Sequence, residues 1–237
     1  MTDQAKPFNR NWQVSVLFAI VAAIVMIGIR ADMPPQRAWY TILGLLFLFA
    51  LVAGQGLTGS WRGILIDERN KMSLSRLQLV TWTLVILSAI MAAAMSNVAK
   101  GIESPLDFTI PSELWVLMGI STTSLIAAPA ILSNAKEKVA TKSEGEAAWG
   151  DLLRGEELSN ADKLDLGKMQ MFFFTLILVV AYGAQLRGMF LGSETGITSL
   201  PIVENGMNVL LGISHTGYLA SKAVPRNAKV SQATQIP

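Results

Sequence analysis

Five runs in this chain, residues 14–29, 39–57, 77–95, 114–132 and 169–186, hold no charged side chain, and a sixth, 207–223, holds only Lys222. No other feature restricts the fold so tightly. About 20 apolar residues in a helix cross a bilayer's hydrocarbon layer, and the backbone there must satisfy its own hydrogen bonds. Composition agrees: 51% of residues are hydrophobic and 15% charged, against about 25% charged in a globular domain. Mean hydropathy is +0.44. The expectation is an all-α integral membrane protein with six transmembrane helices.

Loop chemistry places the helix ends. Run 14–29 follows a basic start, with Trp12 and Gln13 extending it at the interface. It reads as an uncleaved anchor; the competing reading is a signal peptide cut near Ala31. Pro34 and Pro35 make a tight turn, and Gly54, Gly56 and Gly59 loosen the end of the second run. Ser73 and Asp165 are predicted N-caps for the third and fifth helices, since a side-chain oxygen can accept from a free amide of the first turn. Within the polar segment 133–167, Trp149, Leu152 and Leu153 suit a short surface helix.

Fifteen of the nineteen Lys and Arg fall in the N-terminal tail, the loops after the second and fourth runs, and the C-terminal end, where Lys222 at the edge of the sixth run is counted with the tail. By the positive-inside rule these segments face the cytoplasm, as do both termini.

The chain also contains one stretch twice. Residues 74–85 (LSRLQLVTWTLV) return as 166–177 (LGKMQMFFFTLI), an offset of 92, with Arg76/Lys168, Gln78/Gln170 and Thr83/Thr175 in register. Residues 116–121 (VLMGIS) return as 209–214 (VLLGIS), an offset of 93. The implied organisation is an N-terminal hairpin (1–58), a first two-helix repeat (59–133), a cytoplasmic loop with the second repeat (134–223), and a cytoplasmic tail (224–237). Each repeat holds an even number of spans, so both copies run in the same sense, about an axis along the membrane normal.

Candidate residues follow from what membrane helices need. Lipid gives helices no hydrophobic reason to associate, so small residues and hydrogen bonds must hold them. Gly119, Thr123 and Ala127, and their counterparts Gly212, Thr216 and Ala220, form two small-residue stripes expected to meet. Gln78 and Gln170 need partners, either as cross-links through Thr81 or Thr83 or as the lining of a polar path with Thr83, Thr175, Ser121, Ser214 and His215. His215 is the single histidine and the only group in the runs that titrates near neutrality. Arg76 and Lys168 read as anchors at the cytoplasmic boundary.

What is missing also constrains function. There is no cysteine, and one histidine cannot build a multi-histidine metal site, so no metal or cofactor is expected. No run carries Asp or Glu in its interior, where coupled transporters place them. No nucleotide-binding, hydrolase or metalloprotease motif occurs. The loop carboxylates Asp67, Glu68, Glu156, Glu157 and Asp162 sit among Lys and Arg like a solvated surface. No catalytic residue is expected, and the basic residues follow the inner loops and form no nucleic-acid patch.

The strings Asp67-x-Arg69-Asn70-x-x-Ser73-x-Ser75-Arg76-x-Gln78-x-x-x-Trp82-Thr83 and Gly119-Ile120-Ser121, with the second copy from Asn160 to Thr175, carry a resemblance. The chain resembles a family of prokaryotic multi-pass membrane proteins built on a duplicated two-helix unit, basic-x-Gln-x4-Thr followed by Leu-x-Gly-Ile-Ser. The resemblance covers roughly residues 60–222 and implies a cytoplasmic (inner) membrane location but no activity. Two functions fit: a non-enzymatic anchor or scaffold whose loops 59–75 and 133–167 bind a protein partner or further copies of the chain, or a small channel or carrier.

Overall fold

A computed structural model describes residues 11–29, 33–133, 140–143, 145–158, 160–193 and 195–223. The N-terminal tail through Arg10, Ala31, residues 134–139 and the tail 224–237 lie outside the described residues. Among the described residues six α-helices follow in order: α1 (Asn11–Ile29), α2 (Pro35–Thr58), α3 (Leu74–Ala99), α4 (Ser112–Ser133), α5 (Leu166–Gly192) and α6 (Asn205–Ala223). Among the described residues the only β pairing is three isolated bridges. The all-helical expectation holds.

Three helices, α2, α3 and α5, are long and apolar enough to cross a membrane. At 24, 26 and 27 residues and about 1.5 Å per residue, each exceeds the hydrocarbon thickness. Helices α1 and α4 have shorter apolar cores, Trp12–Gly28 and Ser112–Ala128.

Large apolar side chains stand on the outside of the bundle, around a core that is itself mainly apolar with a few polar side chains set in it. Phe18, Val25, Phe47, Phe173, Val180 and Ile213 face outward, while Ser88, Ser121, Ser124 and Gln78 are buried. Single exposed apolar residues are ordinary on soluble proteins; here they recur along α2 and α5, two of the helices apolar enough to cross a membrane. Helix α3 touches α1, α2, α4 and α5. Its inner face reads Ser88, Ala89, Ala92, Ala93 and Ser96, small enough for close backbone approach. Trp82 of α3 stands edge-on to Tyr182 of α5, ring centroids 6.2 Å apart, and Trp39 of α2 donates its indole N–H to Ser88 at 3.1 Å.

Both expected caps are present. Ser73 Oγ accepts from the Arg76 amide at 3.4 Å and Asp165 Oδ1 from the Lys168 amide at 3.2 Å. The approach to the two helices is also alike. A 3-10 turn, Gly63–Leu65 or Trp149–Leu152, leads into a backbone clasp. In the first clasp, the Asp67 amide donates to Lys71 O and the Ser73 amide to Leu65 O. In the second, the Gly155 amide donates to Lys163 O and the Asp165 amide to Leu153 O. The proximal partners are 88 residues apart and the distal ones 92, so the second clasp encloses a loop four residues longer. Trp61 and Trp149, also 88 apart, stand at the start of each clasp, both exposed.

The surface helix expected at Trp149, Leu152 and Leu153 is this second 3-10 turn. Leu152 packs with Leu65, Met72 and Ala147 beneath α3, while Trp149 points outward. The described residues between 140 and 165 therefore fold against the bundle end.

At the opposite end, loops 100–111 and 193–204 pair through Thr109 and Ser199. Asn97 of α3 ties them down, donating to the carbonyls of Pro105 and Ile197 and accepting from the Ile197 amide at 2.7 Å.

Candidate functional site

Two polar layers sit at the clasp end. The upper one lies among the helices. Gln78, one turn inside α3, donates its amide to Thr175 Oγ1 at 2.6 Å and lies 3.4 Å from His215 Nε2. With Gln78 donating, Nε2 is an acceptor, the proton sits on Nδ1, and Nδ1–H points at Ser124 Oγ, its hydrogen-bond partner. One residue from each of α3, α4, α5 and α6 is thus joined, and Gln78, Ser124 and His215 are almost wholly buried. Gln78 Oε1 and Ser214 Oγ are buried without a partner among the described atoms.

The lower layer is ionic. Glu156 receives Lys168 Nζ at 2.9 Å, Arg69 at 3.5 Å and the Tyr218 hydroxyl at 2.8 Å. Arg69 also grips Asp67 at 2.6 Å, and Lys71 Nζ donates to Gly155 O at 3.0 Å. Asp151 pairs with Lys142 at 2.7 Å and accepts amides from Ala148 and Met72. Burial opposes charge on Arg69, but Glu156 and Asp67 outweigh it and raise the guanidinium above its usual range. Burial, then Lys168, pushes the Lys71 ammonium down; Asp151 and Glu156 pull the other way. Burial alone would raise the Asp151 carboxyl, yet the Ala148 amide, Lys142 and the Met72 amide hold it below its usual value.

Several expectations from sequence change here. Gln170 and Thr83, the counterparts of Gln78 and Thr175, do not join them: Gln170 is exposed and Thr83 half-buried. The residues that meet are Gln78 of α3 and Thr175 of α5, two helices in contact. Ser121 is buried but bonds Leu117 O of its own helix at 3.2 Å. Lys168 is no interfacial anchor; it is 2% exposed and ion-paired, whereas Arg76 is half-buried. Glu156 and Glu157 are not a solvated surface but buried, while Glu68 and Asp162 are exposed.

The small-residue stripes are not the α4–α6 seam. Gly119, Thr123, Thr216 and Ala220 are exposed, and Ala127 and Gly212 half-buried. A Cβ on Gly119 would meet nothing within 4 Å. The seam is Leu114, Leu117, Ser121, Ser124 and Ala128 against Asn208, Leu211, Ser214, His215 and Tyr218. The observed rotation pairs His215 with Ser124. Turning the stripes inward would have put His215 and Ser124 into the apolar surround unpartnered, at about 1–3 kcal/mol per orphaned group.

Among the described residues no cluster of three or more His, Asp or Glu could hold a metal. Comparison of the chain with protein-family models, with curated proteins and with solved structures found no match.

Proposed function

We propose that the chain is a six-span protein of the prokaryotic cytoplasmic membrane, both termini inside, acting without catalysis as an anchor or scaffold whose inner face binds a protein partner. The observation that carries this reading is the ordered ionic floor. The described parts of segments 59–73 and 140–165 are joined to α5 and α6 through Arg69, Glu156, Lys168 and Tyr218, an ordered platform where a polar segment with a short surface helix was expected. Pre-ordered surfaces lose less entropy on association. In this reading the two-helix unit is duplicated, and the two similar clasps before α3 and α5 support that. The outer parts of the platform, Trp149, Arg154 and Leu158, are the contact surface.

Affinity purification from native membranes with Trp149→Ala and Leu158→Ser tests it. The intact chain is expected to hold a stoichiometric partner that the double variant loses at unchanged melting temperature. Retention by the double variant would refute the contact surface.

A second reading, a small channel or carrier, draws on the buried Gln78–Thr175–His215–Ser124 cluster. Solute flux in proteoliposomes that disappears with Gln78→Leu would favour it over the scaffold.

A further inference from the structure

The first clasp does not stand clear of the bundle. Helix α2 ends at Thr58, and the chain reverses at Gly59, whose φ of 72° is left-handed. Thr58 Oγ1 holds the reversal, donating to Gly54 O at 2.9 Å and accepting from the Ser60 amide at 3.3 Å. By Gly63 the chain runs beside the helix it has just left. A Cβ on Gly63 would collide with the Gly54 carbonyl, and one on Gly54 would come within 2.9 Å of the Ile64 amide nitrogen. Gly54 lies four residues before the end of α2, which is about 6 Å along the axis. Residues 63 and 64 are therefore level with the last turn of α2, a helix long and apolar enough to cross a membrane. At this end of α2 two apolar side chains face outward, Leu57 at 69% exposure and Trp61 at 50%.

The rest of the bundle marks the same boundary. Among the described residues the exposed tryptophans and tyrosine are Trp12, Tyr40, Trp61, Trp115 and Trp149. Trp12, Tyr40 and Trp115 stand within the first six residues of α1, α2 and α4, and the other two stand in the clasps. The exposed phenylalanines, Phe18, Phe47, Phe49 and Phe173, lie further inside their helices. An indole or phenol joins an apolar body to a polar tip and favours the boundary between hydrocarbon and water; a phenyl ring has no such reason. Along α2, Tyr40 and Thr58 are 18 residues apart. That is a rise of about 27 Å, close to the ~30 Å hydrocarbon layer.

We infer that Trp61 lies in the ester and headgroup layer of the phospholipid leaflet on the clasp side, and that it seats the first clasp on the membrane surface. Its ring, like Leu57, meets the upper acyl carbons, and its indole N–H donates to lipid oxygen. The inference rests on α2 crossing the bilayer, part of the six-span reading, and deepens that reading. The first clasp meets lipid, so a protein partner is left the second clasp, with Trp149.

The test uses the full chain, which lacks cysteine, with a nitroxide on Phe47→Cys, Trp61→Cys or Glu68→Cys. Electron paramagnetic resonance in phosphatidylethanolamine–phosphatidylglycerol proteoliposomes reads relaxation by oxygen, which enters hydrocarbon, and by a nickel chelate, which stays in water. Phe47→Cys is expected to respond to oxygen alone and Glu68→Cys most strongly to nickel. Trp61→Cys is expected to respond to both, its nickel response several-fold below that of Glu68→Cys. A nickel response at 61 equal to that at 68 would overturn the inference. So would shielding from both reagents, which would put protein over this position. A strong nickel response at 47 would overturn the span of α2 itself, so the two failures are distinguishable. A second measurement keeps the indole: fluorescence of the unlabelled chain and of Trp61→Phe in lipids brominated close to the ester or close to the acyl end. The emission lost with Trp61→Phe is expected to be quenched more by the shallow bromines, and its escape from both would overturn the lipid contact.

Discussion

Glu156 is the residue on which the clasp end turns. Its carboxylate takes Lys168, Arg69 and the Tyr218 hydroxyl together, and both charged partners are largely withdrawn from solvent. Removing one member of such a group leaves uncompensated buried charge, so Glu156→Gln should cost about 3–5 kcal/mol. Unfolding of the purified chain in mixed micelles measures it. The pair-preserving Glu156→Asp should lose less. Asp151 sets a pH dependence. Its carboxyl is held below the usual value in the folded chain, so the folded state binds that proton less readily than the unfolded one. The stabilisation is complete above the unfolded value, about 3.9, and is lost as the pH falls through the lower folded value. Asp151→Asn should lower stability at pH 7 and flatten this acid limb, read from melting temperatures between pH 3 and 7. Higher in the bundle, Gln78→Leu should cost about 1 kcal/mol, the scale of interhelical hydrogen bonds in membranes, because Thr175 and His215 each lose a donor. These three side chains were singled out from sequence because polar residues in apolar runs are conspicuous. Sequence placed them on one candidate path with Gln170, Thr83, Ser121 and Ser214, but it did not pick out the three that meet, nor Ser124, because that depends on how each helix is rotated. Glu156 was missed because loop carboxylates beside lysines look alike whether they are solvated or buried.

Helices show the same division between pattern and placement. Ser73 and Asp165 cap α3 and α5 as their positions before apolar runs require, a purely local matter. The small-residue stripes of α4 and α6 failed as a seam, because a stripe permits close approach without demanding it. Close approach occurs elsewhere, where the end of α2 meets the first clasp. A Cβ on Gly63 would collide with Thr58 Oγ1 and the Gly54 carbonyl, and one on Gly54 would come within 2.9 Å of the Ile64 amide. Gly63→Ala should therefore destabilise by about 1–3 kcal/mol, whereas Gly119→Ala, with open space around it, should be neutral or slightly stabilising in helix propensity. Comparative denaturation of the two variants checks the contrast. The clasps explain why the likeness of residues 61–73 and 149–165 escaped the sequence reading. Four additional loop residues shift the offset from 88 to 92, and fixed-register comparison loses the match at that point.

For the whole molecule, the chain's lack of cysteine makes sidedness directly measurable. Glu68→Cys and Glu103→Cys, both at exposed positions on opposite ends of α3, should react with a membrane-impermeant maleimide from opposite faces of sealed vesicles. Labelling of both from one face would end the six-span arrangement. What the sequence determined by itself was the class of solvent and of secondary structure. Long uncharged runs must hide their backbone in helices, and that follows from composition and length without knowledge of any partner segment. Caps, loop positions and the absence of intramembrane carboxylates are equally local. Only the tertiary structure decided how each helix is rotated, which of two equivalent polar residues turns inward, and that segment 140–165 closes the bundle. Those choices depend on hydrogen-bond and charge partners 60 to 140 residues away, and a buried polar group is satisfied by whatever the fold brings within about 3 Å.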